Sequence, residues 1–232
     1  MKRVAIIGAS GYTGLESIEI LNRHPEAEVT YLTALPDECG PAEDIFGRLK
    51  GRCGLDIEPL DLNKISESAD VVFCCLPHRV SMGFVPDLLS TGVRVIDFSA
   101  DYRLKDAEVY EQYYQQHTDR ANLKRAVYGL PELFRQEIKK AELVANPGCF
   151  PTGASLASAP LLKEGLIETD IIVNSVTGTS GAGKNPSAKF HFPNMNENLF
   201  AYKIGSHRHG PEMEQTASEA ARSPVKVLFQ PY

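Results

Sequence analysis

The sequence has no apolar stretch long enough to cross a membrane, because Asp, Glu, Lys or Arg interrupts every such run. Its first apolar run ends at Gly8 and is too short for the hydrophobic core of a secretory signal peptide. Long basic runs are also missing: the 30 acidic and 24 basic residues, net charge −6, are mixed along the chain. These absences argue against a membrane protein, a membrane-surface protein and a nucleic-acid-binding protein.

Cysteine is scarce, and its spacing matches no zinc site. An odd number of cysteines, an adjacent pair and no secretory signal indicate reduced thiols in a cytoplasmic protein. The five are Cys39, Cys53, Cys74, Cys75 and Cys149. With 232 residues, 43% of them hydrophobic and 23% charged, the composition is that of a folded globular chain of one large or two small domains.

Short apolar runs alternate with helical patterns through the first part of the chain. Helices are predicted over 13–23 and 80–89, and residues 101–126 are expected to form a surface insertion or a helix. Strands are predicted at 4–7, 28–32, 69–76, 93–97 and 143–145. This alternation predicts an α/β fold, a Rossmann-type doubly wound parallel sheet with helices on both faces.

The pattern changes near residue 147, where we place a domain boundary. A helix over 152–164, a strand over 171–176 and a Gly/Ser/Thr/Lys loop over 177–187 follow it. The sequence therefore predicts a nucleotide-binding domain over 1–147 and an α+β substrate domain over 148–232.

The turn GASGYTG at 8–14 follows the first strand and opens the first helix. Glycine lets backbone approach a pyrophosphate, and a helix N-terminus supplies N–H groups to it. In this context the G-x-x-G-x-x-G spacing favours dinucleotide binding over a merely structural turn. The candidate cofactor-binding residues in the turn are Gly8, Ser10, Gly11, Tyr12, Thr13 and Gly14.

The end of the second predicted strand has no acidic residue for a ribose 2′-hydroxyl. It reads YLTALP at 31–36, and Asp37 and Glu38 come a few residues later. The missing acid favours NADP over NAD, although no Arg or Lys is present there for the extra phosphate.

Cys149, in NPGCFPT at 146–152, is the candidate nucleophile. It follows a turn and begins a helix, where the helix N-terminus stabilises a thiolate. The alternative is a small buried hydrophobic residue, and that interpretation is kept for the other four cysteines.

His207 and His209 are the candidate acid–base residues, because either can exchange a proton near neutral pH. They alternate, so on a strand they would point the same way. A zinc site formed with Glu212 is a weaker alternative, since no further ligand is apparent. Ordinary surface or loop positions are expected for His24, His78 and His117.

Two further features can bind an anion. The loop SGAGK at 180–184 could form an anion-binding nest, but it lacks the full Walker pattern. Arg103 follows the carboxyl end of a strand, where ligands of open α/β sheets bind, and could hold phosphate bidentately. A surface ion pair of Arg103 with Asp101 or Asp106 is equally consistent with the sequence.

Seven segments together resemble the N-acetyl-gamma-glutamyl-phosphate reductase family (type 1), of the aspartate-semialdehyde dehydrogenase-like superfamily. In chain order they are GASGYTG (8–14), CLPH (75–78), VIDFSADYRL (95–104), YGLPEL (128–133), ANPGCFPT (145–152), SGAGK (180–184) and HRHGPEMEQ (207–215).

The resemblance implies NADPH-dependent reduction of N-acetyl-glutamyl 5-phosphate to the 5-semialdehyde and phosphate, in arginine biosynthesis. It implies a thioester on Cys149 and an acid–base histidine, with His209 preferred to His207. It further implies a small-molecule acyl-phosphate substrate, a cytoplasmic homotetramer and no metal. It adds Thr33, Pro77 and Gly181 as cofactor-binding residues. For substrate or phosphate it implies Arg103, Asn146, Ser180, Lys184 and Glu212.

Two departures from the family pattern are visible. The family usually carries Ser-Arg or similar after the second strand, whereas this chain has Ala34-Leu35. This difference weakens the expected binding of the 2′-phosphate of NADP. Family members also continue beyond the position of Tyr232, so we expect a substrate domain that is curtailed at its C-terminus. The alternative function is therefore a truncated, non-catalytic chain that binds a nucleotide or a partner.

Overall fold

A computed structural model describes residues 1–232, and the chain divides into two units, Met1–Asn146 and Pro147–Tyr232. The strands of the first unit are β1 (Lys2–Ile7), β2 (Ala27–Ala34), β3 (Gly40–Pro41), β4 (Asp56–Pro59), β5 (Val71–Cys74), β6 (Arg94–Asp97), β7 (Val127–Tyr128) and β8 (Leu143–Ala145). Its helices are α1 (Tyr12–Leu21), α2 (Ala42–Ile45), α3 (Leu62–Ser68), α4 (Val85–Ser90), α5 (Ala107–Tyr113), α6 (Arg120–Leu123) and α7 (Pro131–Ile138).

The eight strands of the first unit form one sheet in the order β3-β4-β2-β1-β5-β6-β8-β7. All neighbouring pairs are parallel except β3 with β4. The chain builds outward from β1 on one side through β2 and on the other through β5, so the order reverses beside β1. Ligands of such sheets bind at this reversal, outside the carboxyl ends of the strands.

Both faces of this sheet are buried, which confirms the predicted doubly wound α/β fold. Side chains alternate along a strand, so Val4 and Ile6 of β1 join one core while Ala5 and Ile7 join the other. The first core includes Leu15, Ile18 and Leu21 of α1. The second includes Val72, Val85, Leu88 and Val95.

Of the two alternatives for 101–126, a helix is found, as α5 and α6, whereas a surface insertion is wrong because part of the segment packs into the core. Its buried core members are Tyr102, Leu104, Tyr110 and Leu123. The predicted amphipathic run over 80–89 is likewise divided into a short 3₁₀ turn, Ser81–Gly83, and α4, in whose first turn Pro86 lies.

A buried carboxylate, that of Asp101, organises the segment after β6. Asp101 Oδ1 accepts hydrogen bonds from the Tyr110 hydroxyl at 2.8 Å and from the Arg79 amide at 2.7 Å. Its Oδ2 accepts one from the Met82 amide at 3.2 Å. His117 lies in the loop between α5 and α6, as one alternative expected, but it is buried against Tyr110, with Nε2 2.7 Å from the Asp101 carbonyl oxygen, so the surface alternative is wrong.

The second unit consists of α8 (Cys149–Lys163), β9 (Asp170–Ser175), α9 (Phe192–Met195), α10 (Gly210–Ala221) and β10 (Lys226–Pro231). β9 and β10 form a parallel pair. Phe150 of α8, Met213 of α10 and Phe229 of β10 form one of its two small cores. No helix of the structure combines the length and the apolar character that a membrane span requires.

Replacing Tyr110 with Phe tests the network around Asp101. The substitution keeps the ring but removes a donor to a buried carboxylate, so the free energy of unfolding should fall by roughly 1.5–3 kcal/mol. Urea denaturation measures the loss. Tyr113→Phe is the matched control on the same helix, because Tyr113 is 38% exposed and should change stability little. Equal effects of the two substitutions would contradict this role of Asp101.

Candidate active site

Cys149 is the first residue of α8, a 15-residue helix, and it is the one exposed cysteine of the chain. Gly148 precedes it as the N-cap residue, with extended backbone and no side-chain cap. The first-turn N–H groups and the partial positive charge of the helix end therefore lie where an anion on sulfur would form.

The other four cysteines differ from Cys149 in exposure. Cys53 and Cys74 are buried, and Cys39 and Cys75 are partly buried. Burial raises the pKa of the Cys75 thiol to about 12, so that thiol is protonated at neutral pH. These positions suit small packing residues, and none shares the helix-terminal position of Cys149.

Glu212 lies in the first turn of α10 and is 1% exposed. Its Oε1 accepts a hydrogen bond from the Gly148 amide at 2.8 Å. This bond ties the Glu212 carboxylate to the backbone next to Cys149, and the substrate contact that the sequence resemblance implied for Glu212 stays a prediction. A buried carboxylate bonded to an amide fixes that backbone strongly.

His207 and His209 lie in the turn before α10, not on a strand, so the predicted strand alternation is wrong. The His209 amide donates a hydrogen bond to Nδ1 of His207 at 3.1 Å. This turn brings the two rings together, with 4.7 Å between their centroids. Each ring also packs edge-on near Phe150, at 5.9 Å for His207 and 6.0 Å for His209.

Burial, together with the charges of Lys203 and Arg208, lowers the pKa of His207 to about 4. His207 is therefore neutral at pH 7. Because its Nδ1 accepts the His209 amide, the single ring proton of the neutral form is on Nε2. His207 is thus a hydrogen-bond donor at neutral pH.

A cavity of about 220 Å³ in the second unit is lined by Cys149, His207 and His209 together. Gly181, predicted as a cofactor-binding residue, lines it as well. Its charged lining residues are all cations, namely Lys189, Lys203 and Arg208. No Asp or Glu side chain lines the cavity, so its side-chain charge favours a small anionic molecule.

Lys189 is held by aromatic rings at the wall of this cavity. Its Nζ lies 4.5 Å from the ring centroid of Phe200, 5.6 Å from that of Tyr202 and 5.7 Å from that of Phe190. Such cation–π contacts restrict a flexible lysine. Lys189 carries no signal in the sequence, because the three aromatic residues around it have no regular spacing that marks them as one cluster.

The turn between β1 and α1 closes tightly around its glycines. Gly8 has φ +82°, and a Cβ there would lie 2.3 Å from the Cys75 carbonyl oxygen. A Cβ on Gly14 would lie 2.6 Å from the Ala9 Cα. Gly11 is the N-cap residue of α1, and no side chain caps the helix. The glycines thus let the turn pack closely against the protein backbone, and the uncapped N-terminus of α1 offers its N–H groups to a phosphate.

The end of β2 lies against this turn. The amides of Gly8 and Ala9 both donate to the Thr33 carbonyl oxygen, each at 2.9 Å. Thr33 is buried, and its Oγ1 makes no hydrogen bond within the protein. Ser10 is also buried, and its hydroxyl donates to Glu38 Oε2 at 2.5 Å. The Glu38 carboxylate thus contacts the glycine turn, although Glu38 lies several residues beyond the strand end where such an acid is expected.

Three other predicted residues lie at carboxyl ends of the first sheet. Pro77 is exposed in the loop after β5. Arg103 is 5% exposed, so the alternative that placed it in a surface ion pair is wrong. Its Nε donates to the Asn146 carbonyl oxygen at 2.7 Å and its Nη2 to that of Phe98 at 2.8 Å. Arg103 thereby ties the residue after β8 to the loop after β6.

The predicted loop over 177–187 contains a short 3₁₀ turn, Thr179–Ala182, followed by Gly183 at φ +87°. Ser180 and Lys184 are exposed and are not among the residues that line the cavity. The zinc alternative has no ligand set, because no three His, Cys, Asp or Glu side chains are grouped to hold an ion.

Comparison with known proteins resolves the family. The semialdehyde dehydrogenase NAD binding domain family matches residues 3–141, and the semialdehyde dehydrogenase dimerisation domain family matches residues 149–232. N-acetyl-gamma-glutamyl-phosphate reductases of Desulforapulum autotrophicum, Geobacter sulfurreducens and Methanocaldococcus jannaschii are 46%, 47% and 48% identical over the whole chain.

The chain belongs to the N-acetyl-gamma-glutamyl-phosphate reductase family. It spans 68%, 68% and 67% of the lengths of those three relatives.

Solved structures show the same fold at low sequence identity. Aspartate semialdehyde dehydrogenase with NADP from Candida albicans superposes with a TM-score of 0.70 at 16% identity. Aspartate semialdehyde dehydrogenase II from Vibrio cholerae gives 0.66 at 15% identity. This chain is covered completely in both comparisons, which extend over 67% and 70% of those chains.

The depressed pKa of His207 predicts a pH dependence of stability. Between the ordinary value of 6.5 and about 4, the unfolded chain binds a proton that folded His207 rejects. Stability should therefore fall as pH is lowered through this window. In His207→Gln this contribution is absent, so urea denaturation at about pH 7 and about pH 5 should show a smaller loss than in the wild type.

His24→Gln is the control for this experiment, because His24 is exposed and lies in the first unit. Its loss of stability between the two pH values should match that of the wild type. If His207→Gln also matched the wild type, the buried neutral state of His207 would be contradicted.

Proposed function

We propose that the chain catalyses NADPH-dependent reduction of N-acetyl-glutamyl 5-phosphate to N-acetyl-glutamate 5-semialdehyde and phosphate, a step of arginine biosynthesis. The family assignment motivates the proposal. The observation that carries it is the cavity in which Cys149 at a helix N-terminus is accompanied by two histidines and three cationic side chains, with no Asp or Glu side chain.

In the first step, the Cys149 sulfur attacks the acyl carbon of the substrate. The carbon–oxygen bond to phosphate breaks, phosphate leaves with the electron pair, and a thioester joins the substrate to Cys149. The N-terminal amides of α8 favour the thiolate and the negative charge that develops beside it. Glu212 holds the Gly148 amide and so positions the sulfur.

When bound, NADPH supplies the hydride that reduces the thioester carbon. His209 donates a proton to the substrate oxygen as the hemithioacetal forms on Cys149. It takes the proton back when the carbon–sulfur bond breaks, which releases the aldehyde and restores the thiolate. His207, neutral at pH 7, donates a hydrogen bond through Nε2 and orients the reacting group.

The cations around the cavity suit this substrate, which carries a carboxylate and an acyl phosphate. Lys189 lies over the rings of Phe200 and Tyr202, which restrict it, so it is our candidate to bind one of these anions. The further phosphate- or substrate-binding residues of the proposal are Arg103, Asn146, Ser180 and Lys184.

The first unit is the proposed dinucleotide-binding domain and the second the proposed catalytic domain. The closed glycine turn and the uncapped α1 N-terminus fit a pyrophosphate. Thr33, Pro77 and Gly181 complete the proposed cofactor contacts. The matched dimerisation domain family supports a homo-oligomer, for which we propose a tetramer in the cytoplasm.

The reverse reaction tests the proposed chemistry. The protein is mixed with N-acetyl-glutamate semialdehyde, phosphate and NADP. Reduced nicotinamide should form, and its absorbance measures the rate. Cys149→Ser should lower the rate by at least about 1,000-fold, because a hydroxyl is a much poorer nucleophile here. Cys39→Ser is the control, since Cys39 is partly buried and is not among the residues that line the cavity. Folded protein that binds NADP without turnover would support the non-catalytic alternative.

Lys189→Met tests the anion-binding role. Loss of a fixed cation should raise KM for the semialdehyde about tenfold or more, with a smaller change in kcat. Steady-state kinetics at saturating NADP separate the two constants. Lys163→Met is the control, because Lys163 is exposed in the last turn of α8 and does not line the cavity. Unchanged KM in Lys189→Met would rule out this role.

A further inference from the structure

We propose that Glu38 binds a ribose hydroxyl of the dinucleotide and lets the chain accept NADH as well as NADPH. The proposal rests on the proposed function only insofar as a dinucleotide binds at residues 8–14. It makes Glu38 a specificity-determining residue, in a segment where the sequence analysis expected no acid to act.

The first argument is the position of the Glu38 carboxylate. Its Oε2 lies 2.5 Å from the hydroxyl of Ser10, a buried residue in the glycine turn. In dinucleotide-binding βαβ units, the ribose lies between this turn and the end of the second strand, and an acid at that end accepts its 2′-hydroxyl. The Glu38 carboxylate is therefore at the place where such an acid acts.

The second argument is how the backbone brings Glu38 there. β2 extends to Ala34, two residues beyond the predicted strand, and its end is bound to the turn through the Thr33 carbonyl. Leu35 is extended, and Pro36–Glu38 forms a 3₁₀ turn closed by the Glu38 amide on the Leu35 carbonyl at 2.9 Å. This turn reverses the chain toward Ser10, which the spacing in the sequence does not reveal.

The third argument is the charge of the segment around Glu38. Residues 31–47 contain no Lys or Arg, and their carboxylates are Asp37, Glu38, Glu43 and Asp44. Arg48, the next cation along the chain, pairs with Glu16 and Glu19. A 2′-phosphate here would meet like charge, whereas a 2′-hydroxyl would donate to the carboxylate.

Ser10 adds to this preference. Its single hydroxyl proton is donated to Glu38, so the same proton is not available for a phosphate oxygen. Binding of NADPH would require this bond to break, while NADH can bind with it intact. Removing the charge of Glu38 should therefore favour NADPH at the expense of NADH.

Direct binding tests the inference without turnover. The dissociation constants of NADH and NADPH are measured by nicotinamide fluorescence for the wild type, Glu38→Gln and Asp37→Asn. Circular dichroism checks that each variant is folded. Asp37 is the matched control, because it is exposed in the same 3₁₀ turn and has no bond to the glycine turn.

We expect the wild type to bind NADH within about threefold of NADPH or more tightly, and Glu38→Gln to shift the ratio of the two constants toward NADPH by about tenfold. Asp37→Asn should leave the ratio nearly unchanged. A wild type that strongly prefers NADPH, or a ratio that Glu38→Gln leaves unchanged, would overturn the inference while the proposed reaction stands. Absence of any dinucleotide binding would overturn both.

Discussion

One buried hydrogen bond, from the Gly148 amide to Glu212, holds the candidate site together. It joins the turn before α8, which carries Cys149, to the first turn of α10, which His209 precedes. Two helix N-termini are thereby fixed next to each other, with the Glu212 carboxyl group between them. The remaining first-turn N–H groups of α8 favour negative charge on the Cys149 sulfur. The cations of the cavity strengthen the same preference for negative charge.

The first unit depends on a comparable constraint at its own turn. Gly8 can lie against the Cys75 carbonyl only because it has no Cβ, and this contact sets how closely β1 approaches the loop after β5. The Gly8 and Ala9 amides at the start of the turn donate to the Thr33 carbonyl oxygen, which holds the end of β2 next to the turn. The packing of β1 against its two neighbours thus also forms the proposed dinucleotide-binding surface, with Glu38 at one side of it.

Much of this could be predicted because the signals are local. The strand, glycine turn and helix of residues 4–21 follow directly from hydrophobic period and turn chemistry, and Cys149 is marked by its position before a helix. The predictions that were wrong or incomplete concern residues whose positions depend on tertiary contacts. His117 is buried through its contact with Asp101. His207 and His209 are brought together by a turn, and Glu38 reaches Ser10 because of a 3₁₀ turn after β2. Burial and chain reversals of this kind leave no periodic pattern in the sequence.

The most direct test of the account is to trap the covalent intermediate. The protein is mixed with N-acetyl-glutamyl 5-phosphate in the absence of nicotinamide, quenched in acid and digested, and the peptides are weighed by mass spectrometry. The account predicts an N-acetyl-glutamyl thioester on the peptide that contains Cys149, with phosphate released in equal amount. Phosphate release without an adduct, or an adduct on another cysteine such as Cys39, would contradict it.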